Sequence, residues 1–339
     1  MGDFAYINAR VKVMNSRLLP AARLDELFRA SDLDAVIQGL ADTPYSVELA
    51  EALSRFTGVR AVDEGLSQNF SHTTQRILSF ADGEARDLIE VVLLRYDLQS
   101  LRAIIRGKLT GRSQDEIVGT LFPGGLLTEV KLRELLQQPD VRAIADTLTT
   151  WMHPLASAVR EGADALQRGG SLLDVESALD RAYVRYGRRI ADTEGDGDLR
   201  RYLQAEVTMT NAMTALKLRR IKELPREERE RFFVPGGTLP LDRFLTLADP
   251  QSSLSEIASM RLFGAELAGT ETLSEIERAI EQAFQRMAAR MYMADPLGVG
   301  VVIGYLARKA AEISNLRVIA HARQLGIPED VARREIVGV

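Results

Sequence analysis

A six-residue motif that returns twice, about a hundred residues apart each time, constrains this chain more than any other feature. The first copy reads Asp97-Leu98-Gln99-Ser100-Leu101-Arg102. The second is Thr208-Met209-Thr210-Asn211-Ala212-Met213, and the third Glu312-Ile313-Ser314-Asn315-Leu316-Arg317. From Ser100 to Asn211 is 111 residues, and from Asn211 to Asn315 is 104. Stacked solenoid repeats have periods of about 20–50 residues, so this spacing points to small domains in tandem.

The neighbourhoods of the copies repeat as well. A turn precedes each: Asp82-Gly83, Gly195-Asp196-Gly197 and Asp295-Pro296-Leu297-Gly298. Before each turn runs an acid-apolar-aromatic trio at steps of three and four: Asp63, Leu66, Phe70; Glu176, Leu179, Tyr183; Glu277, Ile280, Phe284. That spacing puts each trio on one face of a helix. Pro123-Gly124-Gly125 follows the first copy and Pro235-Gly236-Gly237 the second. We read three homologous helical units. The first covers 1–86 and is completed by 297–339, which carries the closing helix. The second covers 87–197 and the third 198–296.

Apolar periodicity is helical almost throughout. Tyr6, Ile7, Val11, Met14 and Leu18 mark a first helix, interleaved with Arg10, Lys12 and Arg17 and stopped by Pro20. Short helices follow over 21–28 and 33–40, with Ser31 or Asp32 as the second one's cap, and over 47–56, ended by Gly58. Long helices are expected from Val62 to Phe80, from Leu172 to Ile190 and from Leu273 to Met293. In the first motif helix Val91, Leu94, Leu98, Leu101 and Ile105 form one stripe, while Arg95, Gln99, Arg102 and Arg106 line another face. Asp140 answers Asp32, and Leu132, Leu135 and Leu136 answer Leu24, Leu27 and Phe28. No stretch alternates with period two between turn signals, so the expected fold class is all-α. Val299–Ile303, rich in glycine and β-branched residues, is the weakest helical segment.

Composition narrows the function. A net charge of −5 argues against general nucleic-acid binding. Without cysteine there is no disulfide, thiol catalysis or cysteine-ligated metal. The longest uncharged apolar run, Leu297 to Ala307, falls short of the ~20 residues a membrane span needs. The first residues show no basic segment before an apolar core, so no secretion signal is expected.

Reactive motifs are scarce. The Pro-Gly-Gly pairs are not followed by Gly-Lys-Ser/Thr, and glycine at positive φ beside a helix end explains them. His72, His153 and His321 are far apart in sequence, with no His-Glu-x-x-His; they are expected at surfaces or interfaces, and no metal is expected. Glu194, Asp196 and Asp198 imitate a calcium loop but lack its twelfth-position glutamate. Arg219, Arg220 and Lys222 read as solvated helix surface. No catalytic constellation and no cofactor-binding motif is found. The polar motif residues Asp97, Ser100, Arg102, Asn211, Glu312, Asn315 and Arg317 have two readings. They either satisfy helix ends and hydrogen bonds where units meet, or line a surface that contacts a partner.

From Asp295-Pro296-Leu297 through Gly304-Tyr305-Leu306 to Glu312-Ile313-Ser314-Asn315-Leu316-Arg317, and again at Asn8-Ala9-Arg10-Val11 and over 97–108, the chain resembles a known family. This is the central-stalk socket of rotary V-type and archaeal-type (V/A-type) ATPases, the C subunit in prokaryotes and the d subunit in eukaryotes. The second motif copy departs from the pattern, with Thr208 in place of the acid and Met213 in place of the arginine. The resemblance implies an all-helical funnel of three units in pseudo-three-fold arrangement. It implies a non-catalytic rotor part without cofactor, one copy per complex. Such a part would join the central-stalk subunits of D and F type to the cytoplasmic face of the membrane proteolipid ring. It would pass torque between them in a machine that moves protons or sodium and makes or hydrolyses ATP. Read without the resemblance, the sequence also accommodates a helical scaffold that binds peptides in a concave face. A helical enzyme whose carboxylates meet only on folding is the third reading.

Overall fold

Apolar residues at steps of three and four produce helices wherever they were expected, and every regular element among the described residues is helical. The computed structural model describes residues 4–221, 223–253, 272–293 and 295–338. Lys222 therefore lies outside the described residues, as does part of the third expected unit.

The chain divides into two compact units, one of residues 1–137 with 291–339, the other of 138–290. The first unit opens with α1 (Phe4–Asn15), α2 (Ala21–Phe28), α3 (Leu33–Leu40) and α4 (Ser46–Leu53). It continues with α5 (Gly58–Leu78), α6 (Gly83–Leu109), α7 (Gln114–Val118) and α8 (Glu129–Gln137). The second unit holds α9 (Val141–Thr150), α10 (Ala156–Gln167), α11 (Leu172–Thr193) and α12 (Gly197–Arg219). It ends with α13 (Arg226–Glu230), α14 (Leu241–Ala248) and α15 (Leu273–Arg290). A 3-10 turn, Met291–Met293, then returns the chain to the first unit, followed by α16 (Gly300–Leu325) and α17 (Glu329–Arg333).

Local chemistry fixes several helix starts. The carboxylates of Asp32 and Asp140 accept from Ala35 N and Ala143 N, both at 2.8 Å, and begin α3 and α9. Asp196 does the same for α12 through Leu199 N at 2.7 Å. Ser113 with Glu116 and Ser171 with Asp174 form reciprocal capping boxes at α7 and α11. Several boundaries shift by a few residues, and at one a glycine changes its role. The fourth helix ends at Leu53, and Gly58 opens α5 instead of closing α4. Its φ of +64° turns the chain into the new helix, a conformation that favours glycine.

In the first unit α16 is the central rod. It packs against α1, α2, α3 and α5, and α4 lies along α5. Val301, Val302, Leu306, Ile313, Leu316 and Ile319 are all buried, so Val299–Ile303 joins this rod as helix rather than strand. In the second unit α10 packs on α9 and α11, while α12 packs on α11, α14 and α15. Ala212, Ala215, Leu216, Phe244, Leu247 and Ile280 form the centre of its core. The aromatic members of the three trios, Phe70, Tyr183 and Phe284, are all buried. Each trio acid reaches a nitrogen-bearing side chain on or at the end of a motif helix: Asp63 to His321 at 2.9 Å, Glu176 to Lys217 at 3.2 Å, and Glu277 to Arg220 at 2.8 Å.

Candidate functional site

Residues three apart lie on one helix face, and each motif helix uses such a pair to grip backbone outside the helix. On α12 the buried Asn211 amide donates to Val234 O at 2.8 Å, and its carbonyl oxygen accepts from Val234 N at 2.9 Å. Three residues earlier, Thr208 Oγ1 accepts from Thr238 N at 2.7 Å. On α16 the Asn315 side chain makes the same pair of hydrogen bonds with Val337, donating to its O at 3.0 Å and accepting from its N at 2.9 Å. On α6 the Ser100 hydroxyl sits between Phe122 O, at 3.2 Å, and Phe122 N, at 3.4 Å. The separations in sequence are 22, 23 and 22 residues. Asp97 accepts from Leu126 N at 2.9 Å and Leu127 N at 3.0 Å, and the last of these spans the same 30 residues as Thr208 to Thr238.

The acid of the third copy completes this pattern from the other end of the chain. Glu312 Oε2 accepts from Leu19 N at 2.5 Å. Leu19 lies two residues before α2, as Leu127 lies two before α8. One turn of α16 thus holds Val337 through Asn315 and Leu19 through Glu312.

The Pro-Gly-Gly turns have a cause that the sequence does not display. Gly236 does adopt positive φ, at +117°. Gly125 and Gly237 do not; they are glycines because the clasped backbone runs against the motif helix. A Cβ on Gly125 would stand 2.9 Å from Asp97 N, and one on Gly237 2.8 Å from Thr208 N. Both are closer than real Cβ contacts come.

Around Glu312 the site is polar and buried. The Tyr45 hydroxyl donates to its Oε1 at 2.6 Å, and Lys309 Nζ lies 3.6 Å from the same oxygen. Lys309 is only 4 % exposed and stands 3.8 Å over the Tyr45 ring. Burial lowers the Lys309 ammonium to about 8, although Glu312 and Glu48 pull it upward. Burial and the Glu312 charge together drive the Tyr45 hydroxyl well above its ordinary value. Lys309 precedes Glu312 by three residues on a helix, a signal visible in the sequence; nothing there announces Tyr45.

The motif arginines divide. Arg317 donates to Ser67 Oγ at 2.5 Å, lies 3.7 Å from Asp63, and stands 5.4 Å over the Phe122 ring. Burial lowers its pKa against the opposing pull of Asp63. Arg102 is half-buried on α6. Met213, at the equivalent place on α12, packs on the apolar core of the second unit instead. Asp97, Asn211, Glu312 and Asn315 therefore hold backbone, and Arg317 holds a side chain of α5. Two of the histidines are exposed, on Glu48 and Asp63. His153, expected at a surface or interface, is buried within the chain, and its Nδ1 accepts from Leu155 N at 3.3 Å ahead of α10.

No three of these carboxylates and imidazoles converge as a metal-binding group among the described residues. A cleft of about 620 Å³ beside His153 and Met152 is lined by charges that pair locally, Arg160 with Asp146 and Asp164 with Arg142. No helix of the described residues is long and apolar enough to cross a membrane.

Similarity to known proteins extends over the same length as the clasps. The model of the ATP synthase (C/AC39) subunit family matches residues 7–335. The C subunit of the V-type ATP synthase of Deinococcus radiodurans is 33% identical over 343 residues, covering 98% of this chain and 91% of that protein. The protein of the same name from Thermus thermophilus is 31% identical over 336 residues, with 99% and 98% covered. The C subunit of the A-type ATP synthase of Haloferax volcanii is 29% identical over 348 residues, with 98% and 97% covered.

Proposed function

The chain belongs to the ATP synthase (C/AC39) subunit family, and from that premise we propose that it is the non-catalytic socket of a rotary V/A-type ATPase or ATP synthase. In this reading it lies peripherally on the cytoplasmic side of the membrane, one copy per complex. It seats the D- and F-type stalk subunits on one side, meets the proteolipid ring on the other, and passes torque between them.

The observation that carries the reading is the thrice-repeated clasp. A part that transmits torque must resist shear between its own segments. Paired hydrogen bonds from a rigid helix to backbone more than twenty residues away provide that resistance without any reacting group. The clasps also support a three-unit plan in which α6–α11 form one unit and α12–α15 the next. The remaining unit pairs α16 and α17 with α2–α5, because Glu312 takes up Leu19 where Asp97 takes up Leu127. Three similar units around an axis would give the pseudo-three-fold funnel that such a socket needs.

The direct test is affinity purification of the tagged chain from the membranes of its source cell. Stalk subunits and proteolipid ring should co-purify in fixed ratio. Recovery of the chain alone, or with an unrelated helical partner, overturns the socket in favour of an adaptor. The isolated chain should show no nucleotide hydrolysis; turnover abolished by one carboxylate substitution would establish the enzyme reading instead.

A further inference from the structure

Helix α1 is apolar on two faces, and the fold uses one of them. Phe4, Ile7 and Val11 are buried on the side that packs against α16. On another side Tyr6 is 46 % exposed and Val13 56 % exposed. With Arg10, Met14 and Arg17 these residues line a groove of about 470 Å³, whose far wall is Arg76 and Phe80 at the end of α5. A surface helix ordinarily turns one apolar stripe inward and a polar face outward, so a second apolar stripe calls for a second partner. From Tyr6 to Met14 is eight residues, about 12 Å of groove at 1.5 Å per residue, or roughly two turns of a helix laid along it.

The rim of the groove sets the partner's charge. Arg10 stacks over Tyr6 and Phe80 at 5.0 and 5.2 Å. Arg10, Arg17 and Arg76 form no ion pair with any described residue. Four arginines elsewhere on this acidic chain do sit on carboxylates: Arg23 on Asp42, Arg160 on Asp146, Arg200 on Asp192 and Arg333 on Asp25. At the Arg17–Arg76 end the groove runs into a polar pocket of about 190 Å³ lined by Lys309, His72 and Glu48, with His72 Nδ1 2.9 Å from Glu48 Oε1. Cations gathered around an apolar trough complement an acidic ridge.

We infer that the groove between α1 and the end of α5 is a docking site for an amphipathic helix of a partner protein, apolar on its seated face and flanked by Asp and Glu. The inference rests on the proposed function only in placing that partner inside the rotary complex. Two other occupants fit less well. A lipid surface is entered by a protruding apolar face, whereas this one is concave. A second copy of the chain in two-fold contact would set Arg10 and Arg17 against their own equivalents.

The test installs p-benzoylphenylalanine in place of Val13, irradiates the purified complex and sequences the adduct. The expected adduct lies in a segment with apolar residues at steps of three and four and acidic flanks. Arg10→Glu with Arg17→Glu should cut its yield at least tenfold while leaving the chain's melting temperature unchanged. An intact complex that gives no adduct, or adducts only with lipid, with a second copy or with a segment lacking acids, overturns the inference. Should the chain not enter a rotary complex at all, the proposed function falls, and the groove is judged separately. An amphipathic helical peptide with glutamate flanks is then titrated onto the isolated chain beside its lysine-flanked counterpart. The glutamate peptide should bind at least tenfold more tightly, and equal binding overturns the docking site.

Discussion

Replacing Asn211 by alanine should cost far more stability than the same change at Asn315, although both side chains make the same two bonds. Asn211 is 0 % exposed and Asn315 4 %. The difference lies in what each releases. Val234, held by Asn211, is buried, so Asn211→Ala strands one N–H and one C=O away from water. Each stranded group costs about 1–3 kcal/mol, or about 4 kcal/mol together. Val337, held by Asn315, is half-buried near the end of the chain, where water can replace the amide. That loss is closer to the net value of a solvated bond, about 1 kcal/mol. A unit of 150–250 residues loses roughly 2–4 °C of melting temperature per kcal/mol, so Asn211→Ala should lower the transition by roughly 8–16 °C. Thermal unfolding followed by circular dichroism, with hydrogen exchange at the Val234 amide, reads both effects. Equal losses for the two variants, or a Val234 amide that stays protected in Asn211→Ala, would refute the reasoning that backbone satisfaction is what the clasps supply.

Further outcomes follow from the same geometry. Gly237→Ala places a methyl group 2.8 Å from Thr208 N and should cost about 1–3 kcal/mol by urea unfolding, whereas Gly197→Ala, which meets nothing nearby, should cost less. Lys309 is charged in both states below its folded pKa of about 8, where the burial penalty is fully present. Between pH 8 and about 10.4 only the unfolded chain keeps the proton, so stability should rise with pH, by up to about 3 kcal/mol. Lys309→Met should lack that rise in denaturation measured at pH 7.5 and 10. Arg317→Ala removes a charged donor from Ser67 and should cost about 1.5–3 kcal/mol. If its melt is unchanged while proton pumping uncouples from ATP turnover, the side chain serves a partner rather than the fold.

Sequence alone determined whatever depends on neighbours within a turn or two. The caps at Asp32 and Asp140 are legible because a carboxylate reaches a backbone N–H three residues on, whatever surrounds it. The α6 stripe of Val91, Leu94, Leu98, Leu101 and Ile105 is legible because helical geometry converts spacing into a face. The motif recurrence marked Asp97, Asn211, Glu312 and Asn315 before any contact was visible. What each one holds was decided only by tertiary structure. No local rule reveals that Glu312 takes the Leu19 N–H from 293 residues away. Nor does one show that Gly125 and Gly237 are kept small by a passing helix rather than by their own φ. His153 read as a surface or interface residue because burial depends on which helices close over it, not on its neighbours in sequence. The two apolar stripes of α1 look alike in sequence, and only the placement of α16 decides which becomes core and which is left facing outward.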